Sequence, residues 1–286
     1  MFGFVTWLKA IAAVLITNSH YADIWPISAL ACGGHIGNCL FFFLSGFCLF
    51  HIKDSFPKWY IKRILRIYPV LWIVNTVALL AGQTHIGEFM GFVHCYFYPT
   101  WFHFIGSIML LYAVYYVIRY AQQKLHFDIR WLMLAALAVY LLLYVTIFDK
   151  STYHIDDVGE KWVRFMFFEA MMMGVWLREQ YDRISDRITG KDISLFAVSM
   201  VAYFVGKVAL SRFQWLSGWQ CFLPIVLLIY IYSIAIIFIK LEKNGFFWGG
   251  EPADKLGYQL CCRYHLGDLS GTGDCALGNH RPTVPD

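Results

Sequence analysis

Long apolar stretches constrain this chain more than any other feature of its sequence. Eight of them lie between residues 3 and 239, and each is long enough for a membrane-crossing helix of ~17–25 residues. Only 15% of the residues are charged and 59% are hydrophobic, whereas soluble domains carry ~25% charged residues. This excludes a disordered chain, a disulfide-stapled mini-protein and an ordinary cytosolic enzyme. We predict an all-α, polytopic membrane helix bundle with spans at 3–20, 31–51, 64–82, 101–119, 131–148, 163–178, 193–210 and 219–239.

The loops between these spans differ in their basic residues. Five Lys or Arg residues follow the second span, three follow the fourth, four follow the sixth and two follow the eighth. On the other side, residues 21–30 and 83–100 contain none. Because basic residues favour the cytoplasmic side of a membrane, we predict a cytoplasmic N-terminus. The net charge of +4 is small, so no nucleic acid partner is expected.

The composition changes abruptly after Phe247. We predict a membrane domain over residues 1–247 and a polar, atypical C-terminal tail over 248–286, rich in Gly, Asp and Cys. Two interpretations of the tail remain open. It is either a cytoplasmic extension or the product of a frameshift that replaces the final spans.

Two ionisable residues, Lys9 and His20, stand in the first span. Eleven positions of a helix amount to three turns plus about 20°, so both side chains point the same way, roughly 16 Å apart along the axis. Ionisable residues at membrane depth are candidates for function, and a neutral imidazole can accept a proton from a hydroxyl as a general base. The alternative is that Lys9 reaches back to the cytoplasmic interface and His20 sits among the lipid headgroups.

Two further features follow along the chain. Ser45 and Gly46 form a small step in an aromatic span, which permits either close helix packing or room for a ligand. Arg63 and Arg66 share one helix face at the predicted cytoplasmic end of the third span. Such a pair suits the binding of phosphates, although basic residues that anchor the span at the interface would occur at the same place.

Other candidates are weaker. Glu169 is an acidic residue within an apolar run, and Trp101 fits an interfacial aromatic belt. His85, His94 and His103 recur every nine residues, a spacing that does not place three ligands on one helix face. No metal site is therefore predicted.

The motifs together, in this order, resemble those of the acyltransferase 3 family, the integral-membrane O-acyltransferases of bacterial surface polysaccharides. The resemblance covers about residues 3–245. The family opens with Arg or Lys followed eleven residues later by His. An FFxLSGF helix comes next, and then a basic RxxR segment that runs into proline. An aromatic element and an FxxG element follow later in the chain. The matching positions are Lys9 and His20, Phe41 to Phe47, Arg63, Arg66 and Pro69, Trp101 to Phe104, and loosely Phe168 to Gly174.

The resemblance implies transfer of an acyl group, usually acetyl, from cytoplasmic acetyl-CoA to a hydroxyl of a lipid-linked or exported glycan. His20 would be the essential histidine, and Lys9 would take a position usually held by arginine. Arg63 and Arg66 would bind the CoA phosphates, while Ser45, Trp101 and Glu169 would line the substrate pocket. The donor is a substrate, so no bound cofactor is expected. The expected partners are the lipid bilayer of a bacterial inner membrane, acyl-CoA and the glycan acceptor.

The chain also departs from the family pattern. The family usually has ten core helices, and a late element begins to match at Leu256 but ends at Cys261. Two alternatives therefore stay open. One is an inactive, truncated acyltransferase, and the other is a polytopic transporter or flippase of a glycan intermediate or small metabolite.

Overall fold

The structure is a computed structural model, and it describes residues 2–21, 24–25, 31–98, 102–157 and 162–246. In these ranges the chain is helical and contains no strand. The helices are α1 Gly3–Ser19, α2 Gly34–Cys48, α3 Phe56–Leu80, α4 Phe89–Tyr96, α5 His103–Leu125, α6 Ile129–Thr146, α7 Val163–Gln180, α8 Gly190–Arg212 and α9 Phe222–Lys243. Short 3₁₀ turns occupy Tyr181–Arg183 and Gln214–Trp219.

The predicted all-α membrane protein is confirmed, and each predicted span contains a helix. Five helices are long and apolar enough to cross a membrane: α3, α5, α6, α8 and α9. Helices α1 and α2 are apolar but shorter, with 17 and 15 residues. Helix α4 lies in the segment 83–100, for which the sequence predicts a loop.

The core of the bundle is the pair α2 and α7. Phe42, Phe43 and Phe47 on α2 are buried, as are Met171 and Met172 on α7. Helix α1 packs on the outer side of α2, and α8 packs on α9. The sequence dictates this centre because small residues in both helices let the backbones approach, while large apolar side chains fill the remaining space.

Helices α3, α6 and α8 bury only a narrow stripe and expose apolar side chains elsewhere. On α3, for example, Leu65, Ile73 and Leu80 are 65%, 65% and 83% exposed. Lipid tails are a favourable environment for such a surface, whereas water is not. The outer helices therefore carry the surface that contacts the bilayer.

Contacts between helix ends define what we call the basic end of the bundle. Glu242, at the end of α9, accepts hydrogen bonds from the backbone amides of Gly3 and Phe4 at 2.8 and 3.1 Å. Lys240 pairs with Asp192, in the first turn of α8, at 2.7 Å. The ends of α2, α5 and α7 lie here too, because Arg119 donates to the Phe50 carbonyl and Gln122 to Glu179, each at 2.8 Å.

The opposite end, called the far end, joins the other termini of the same helices. Asn18 near the end of α1 donates to the Cys32 carbonyl before α2, at 3.1 Å. Tyr144 near the end of α6 donates to the Gly218 carbonyl before α9, at 2.8 Å. Lys207 near the end of α8 pairs with Asp156 in the loop before α7, at 2.7 Å.

Candidate active site and donor-binding segment

Lys9 and His20 lie at different depths of α1. Lys9 is within the helix, whereas His20 follows its last residue and donates its backbone N–H to the Thr17 carbonyl at 3.1 Å. Both side chains are exposed on the bundle surface. Their separation along the axis is about 16 Å, from the rise of an α-helix. His20 is therefore at the far end, and Lys9 lies closer to the basic end, within electrostatic reach of Cys48 at the end of α2.

In the described segment that contains Arg63 and Arg66, the lysines contact a carboxylate and the arginines do not. Asp54, just before α3, accepts from Lys62 at 2.6 Å and lies 3.4 Å from Lys58. The hydrogen bond from Lys62 holds the pKa of Asp54 below its usual value. Within the described residues, no carboxylate pairs with Arg63 or Arg66. The two arginines thus have no carboxylate partner there, whereas the two lysines share the single negative charge of Asp54.

Arg63 is held against an aromatic side chain. Its guanidinium lies 4.9 Å from the centre of the Trp59 ring, an arrangement that favours a cation over the ring face. Its Nε is buried and has no hydrogen-bond partner in the described part of the chain. Arg66, one turn further on, is exposed. A guanidinium that is oriented by a ring face and has no carboxylate partner is suited to bind an anion.

Tyr112 on α5 connects this segment with the Ser45 region. Its hydroxyl lies 3.5 Å from the Ser45 Oγ, and its ring packs edge-on against Trp59 with the ring centres 5.8 Å apart. The structure therefore brings Ser45 and the Arg63 side of α3 to opposite sides of one tyrosine. Gly46, beside Ser45, lies where the backbones of α2 and α7 approach closely. Of the two interpretations of the Ser45–Gly46 pair, close helix packing therefore applies to Gly46.

Glu169 is in the interior of α7 with only 6% of its surface exposed. Its Oε1 has no hydrogen-bond partner in the described residues, and Glu169 lines a small cavity between α6, α7 and α9. Apolar residues such as Leu137, Phe165 and Leu228 form most of the cavity wall. Burying a carboxyl among apolar side chains costs free energy, so stability alone does not explain why Glu169 is there.

The remaining predicted pocket residue, Trp101, lies outside the described residues, as does the tail after Phe246. No hydrogen bond or ion pair joins Lys9 or His20 to Arg63 or Arg66 in the described ranges. The predicted base and the predicted donor-binding arginines are thus separate features of the bundle.

A polar group at the far end, which sequence patterns do not predict, is formed by His35, Asp156 and Lys207. His35 and Asp156 line a small cavity, and Asp156 is paired with Lys207. One signal was present, because Lys207 lies inside the apolar stretch 193–210 and a charge at that position is itself a candidate for function. His35 gave no signal, since a histidine at the start of a span is compatible with an interface position.

Comparison with known proteins gives one finding. The model of the acyltransferase 3 family, described as an acyltransferase domain, matches residues 2–260 and so covers most of the chain. No curated protein and no solved structure shows significant similarity to it. On the family match and the apolar helices, the chain belongs to the acyltransferase 3 family and is a membrane acyltransferase.

Proposed function

We propose that this protein transfers an acyl group, acetyl in the first instance, from cytoplasmic acyl-CoA to a hydroxyl of a lipid-linked or cell-surface glycan in a bacterial inner membrane. The observation that carries the donor assignment is that Arg63 and Arg66 have no carboxylate partner among the described residues, whereas Lys58 and Lys62 contact Asp54. A CoA thioester presents phosphates, and arginines bind phosphate oxygens in bidentate fashion.

The orientation in the membrane is part of the proposal. Basic residues follow the helix ends that meet at the basic end, and positive charge favours the cytoplasm. In this proposal the chain crosses the membrane eight times from a cytoplasmic N-terminus, so that the start of α3 is on the side where acyl-CoA is available. His20 then lies toward the opposite leaflet, where an exported glycan is presented.

The reaction balances with His20 as general base. The Nε2 or Nδ1 of neutral His20 accepts the proton of the acceptor hydroxyl while its oxygen attacks the thioester carbonyl carbon. The C–S bond breaks, CoA leaves as a thiolate, and the proton passes from His20 to that sulfur. Lys9, between the two ends, would attract the anionic donor. Ser45 and Glu169 are proposed to contact the substrate within the bundle.

Transfer from labelled acetyl-CoA tests the proposal. Membranes from cells that express the protein are incubated with [¹⁴C]acetyl-CoA, and label is measured in the glycan fraction. We expect label with the unaltered protein, none with His20→Ala, and normal incorporation with His85→Ala, an exposed histidine in the loop after α3. Incorporation by an expressed His20→Ala variant would remove the base role. If the unaltered protein gave no label but transported an unmodified glycan, the result would favour the transporter alternative.

A further inference from the structure

Arg178, in the last turn of α7, is held by aromatic rings at the basic end of the bundle. Its guanidinium carbon lies 4.6, 5.5 and 5.6 Å from the ring centres of Phe2, Phe47 and Tyr181. These rings belong to the segment before α1, to α2 and to the turn after α7, so three elements orient one side chain. Because the face of an aromatic ring attracts a cation, the guanidinium is fixed against the bundle.

No described carboxylate lies within salt-bridge distance of Arg178. The next residue, Glu179, lies 3.5 Å from Arg119 and accepts a hydrogen bond from Gln122. Glu242 on α9 accepts from the amides at the start of α1. An arginine that only anchors a span at the interface extends toward the lipid headgroups. Arg178 is instead half-buried among rings of the bundle, so anchoring alone does not account for its position.

Other cationic side chains gather at the same place. Lys9 and Arg178 are both within electrostatic reach of Cys48, the last residue of α2. His51, in the turn that follows α2, is within electrostatic reach of Arg178 and Lys53. In the described ranges, none of these four basic side chains takes part in an ion pair. We call Lys9, His51, Lys53 and Arg178 the α2 turn cluster.

The α2 turn cluster is suited to bind an anion. Positive charges that are held near one another repel, and an anion placed among them removes that cost. Lys9, His51 and Lys53 are exposed, so their donors are accessible to a ligand. An arginine forms two parallel hydrogen bonds with a phosphate, and lysine or histidine adds single ones. A phosphate group matches this set of donors.

The α2 turn cluster and the segment of Arg63 lie around the same end of α2. Cys48 is within electrostatic reach of Tyr112 and Tyr115 on α5. Both tyrosines are also within electrostatic reach of Arg63. One end of α2 is therefore flanked by two groups of cations, one carried mainly by α1, α7 and the turn after α2, and the other by α3.

We propose that the α2 turn cluster is a second phosphate site for the acyl-CoA donor. The identity of the donor rests on the proposed function. A CoA thioester carries phosphates in two places, a pyrophosphate and a separate monophosphate on the ribose, so it can engage both groups of cations at once. Two anchored phosphates fix the orientation of the nucleotide, which a single contact does not. A phospholipid headgroup offers the same phosphate chemistry, and the experiment separates these two sources.

Cys48 reports on occupancy of the cluster without any acyl transfer, because its side chain is exposed. The full chain is placed in phosphatidylcholine nanodiscs and treated with a negatively charged methanethiosulfonate, and peptide mass spectrometry measures the label on Cys48. Desulfo-CoA is the probe, since it has no thiol that would react. We expect saturating desulfo-CoA to slow this labelling about tenfold. We also expect the calorimetric Kd of desulfo-CoA to rise at least about tenfold in Arg178→Met.

Two further variants make the result specific. Lys53→Met changes an exposed side chain, so it tests the cluster even if Arg178→Met lowers the melting temperature. The expected rise in Kd is about two- to fivefold, because exposed charges contribute less than half-buried ones. Arg130→Met is the matched control, since Arg130 pairs with Asp128 and is not part of the cluster. Its Kd and its slowed labelling should equal those of the unaltered protein.

The outcomes separate this site from the proposed function. Slowed labelling that is lost in Arg178→Met and retained in Arg130→Met supports the site even if no acyl transfer is found. A Kd that is raised by Arg63→Ala but unchanged in both Arg178→Met and Lys53→Met overturns the site and leaves the donor role of Arg63 standing. If phosphatidylglycerol in the nanodiscs slows the labelling and desulfo-CoA does not, the cluster binds a headgroup and the proposal is overturned.

Discussion

Gly46 and Gly174 lie in a mutual close approach where α2 crosses α7. A Cβ atom added at Gly46 would be 1.9 Å from the Met171 carbonyl oxygen, and one added at Gly174 would be 2.0 Å from the Phe43 carbonyl oxygen. In both directions the obstacle is backbone, which cannot rotate away as a side chain can. The crossing therefore requires glycine on both helices, and it sets the distance between the two central helices of the bundle.

Gly46→Ala and Gly174→Ala should each destabilise the protein, because the new methyl group forces α2 and α7 apart. We expect a loss of about 1–3 kcal/mol or more in the free energy of unfolding, as for other overpacked cores. Gly206→Ala is the matched control, since its Cβ would meet only Leu223 at an ordinary 3.5 Å. Thermal unfolding in detergent measures the three variants, and equal melting temperatures would contradict the crossing.

Arg63→Ala should weaken donor binding without unfolding α3. Loss of a charge-assisted hydrogen bond to phosphate is expected to raise the KM for acetyl-CoA by about 10- to 100-fold. Arg63→Lys should restore only part of it, because an ammonium lacks the planar fork. Arg130→Ala serves as control, since that arginine already pairs with Asp128 at 2.5 Å. An unchanged KM in steady-state assays of Arg63→Ala would exclude this residue from the donor site.

Arg119→Met should destabilise the basic end. Only 4% of the Arg119 side chain is exposed, and it bonds the Phe50 carbonyl and Gln122 while facing Glu179 at 3.5 Å. Breaking a fully buried ion pair costs about 3–5 kcal/mol; because Glu179 is 27% exposed, we expect roughly half of that. Chemical denaturation in detergent provides the number, and a stability within error of the unaltered protein would show that the network is dispensable.

Asp156 should make stability depend on pH in the acid range. Burial opposes its ionisation, yet the Lys207 ammonium and its hydrogen bond hold the pKa of Asp156 below the usual value. A lowered folded-state pKa stabilises the protein above the unfolded value of about 3.9, and this contribution is lost as the pH falls through the folded-state pKa. Melting curves between neutral and acid pH should therefore show a smaller gap between Asp156→Asn and the unaltered protein at low pH. A constant gap would be inconsistent with this ion pair.

Glu242→Ala should loosen the start of α1. The carboxylate accepts from the amides of Gly3 and Phe4 at the positive end of the helix dipole, where such a cap contributes about 0.5–2 kcal/mol. Glu242→Gln keeps an acceptor and should recover part of the loss. Hydrogen exchange of the first turn of α1 reports the effect locally, and exchange rates unaffected by either change would refute the cap.

The helices were predictable because a membrane span needs a continuous apolar run, and such runs are visible without tertiary information. Helix α4 was not, since its eight residues are too few for a span and it is fixed by partners distant in sequence. Tyr68 and Trp72 on α3 donate to the carbonyls of Phe97 and Tyr96 at 2.9 and 2.7 Å. These hydrogen bonds satisfy the C-terminal end of α4, which no local signal announces.

The sequence also predicts some residues of the candidate site and not others. Arg63 and Arg66 stand in a motif, and the structure adds that Asp54 pairs with the neighbouring lysines, Lys58 and Lys62, and not with the arginines. His35 and Asp156 are 121 positions apart in the sequence, and only the fold brings them to one cavity. Lone residues whose partners lie on other helices carry no periodicity, so sequence patterns do not connect them.

The hydrogen bonds from α1 to Glu242 bear on the order in which the protein is assembled. The acceptor is separated from Phe4 by 238 positions, so the ribosome completes helices α1 to α8 before it reaches this carboxylate. The amino end of α1 consequently acquires these hydrogen bonds only after α9 has been made, although α1 can pack on α2 much earlier. Until then the first amides of α1 must rely on water or lipid headgroups for their hydrogen bonds.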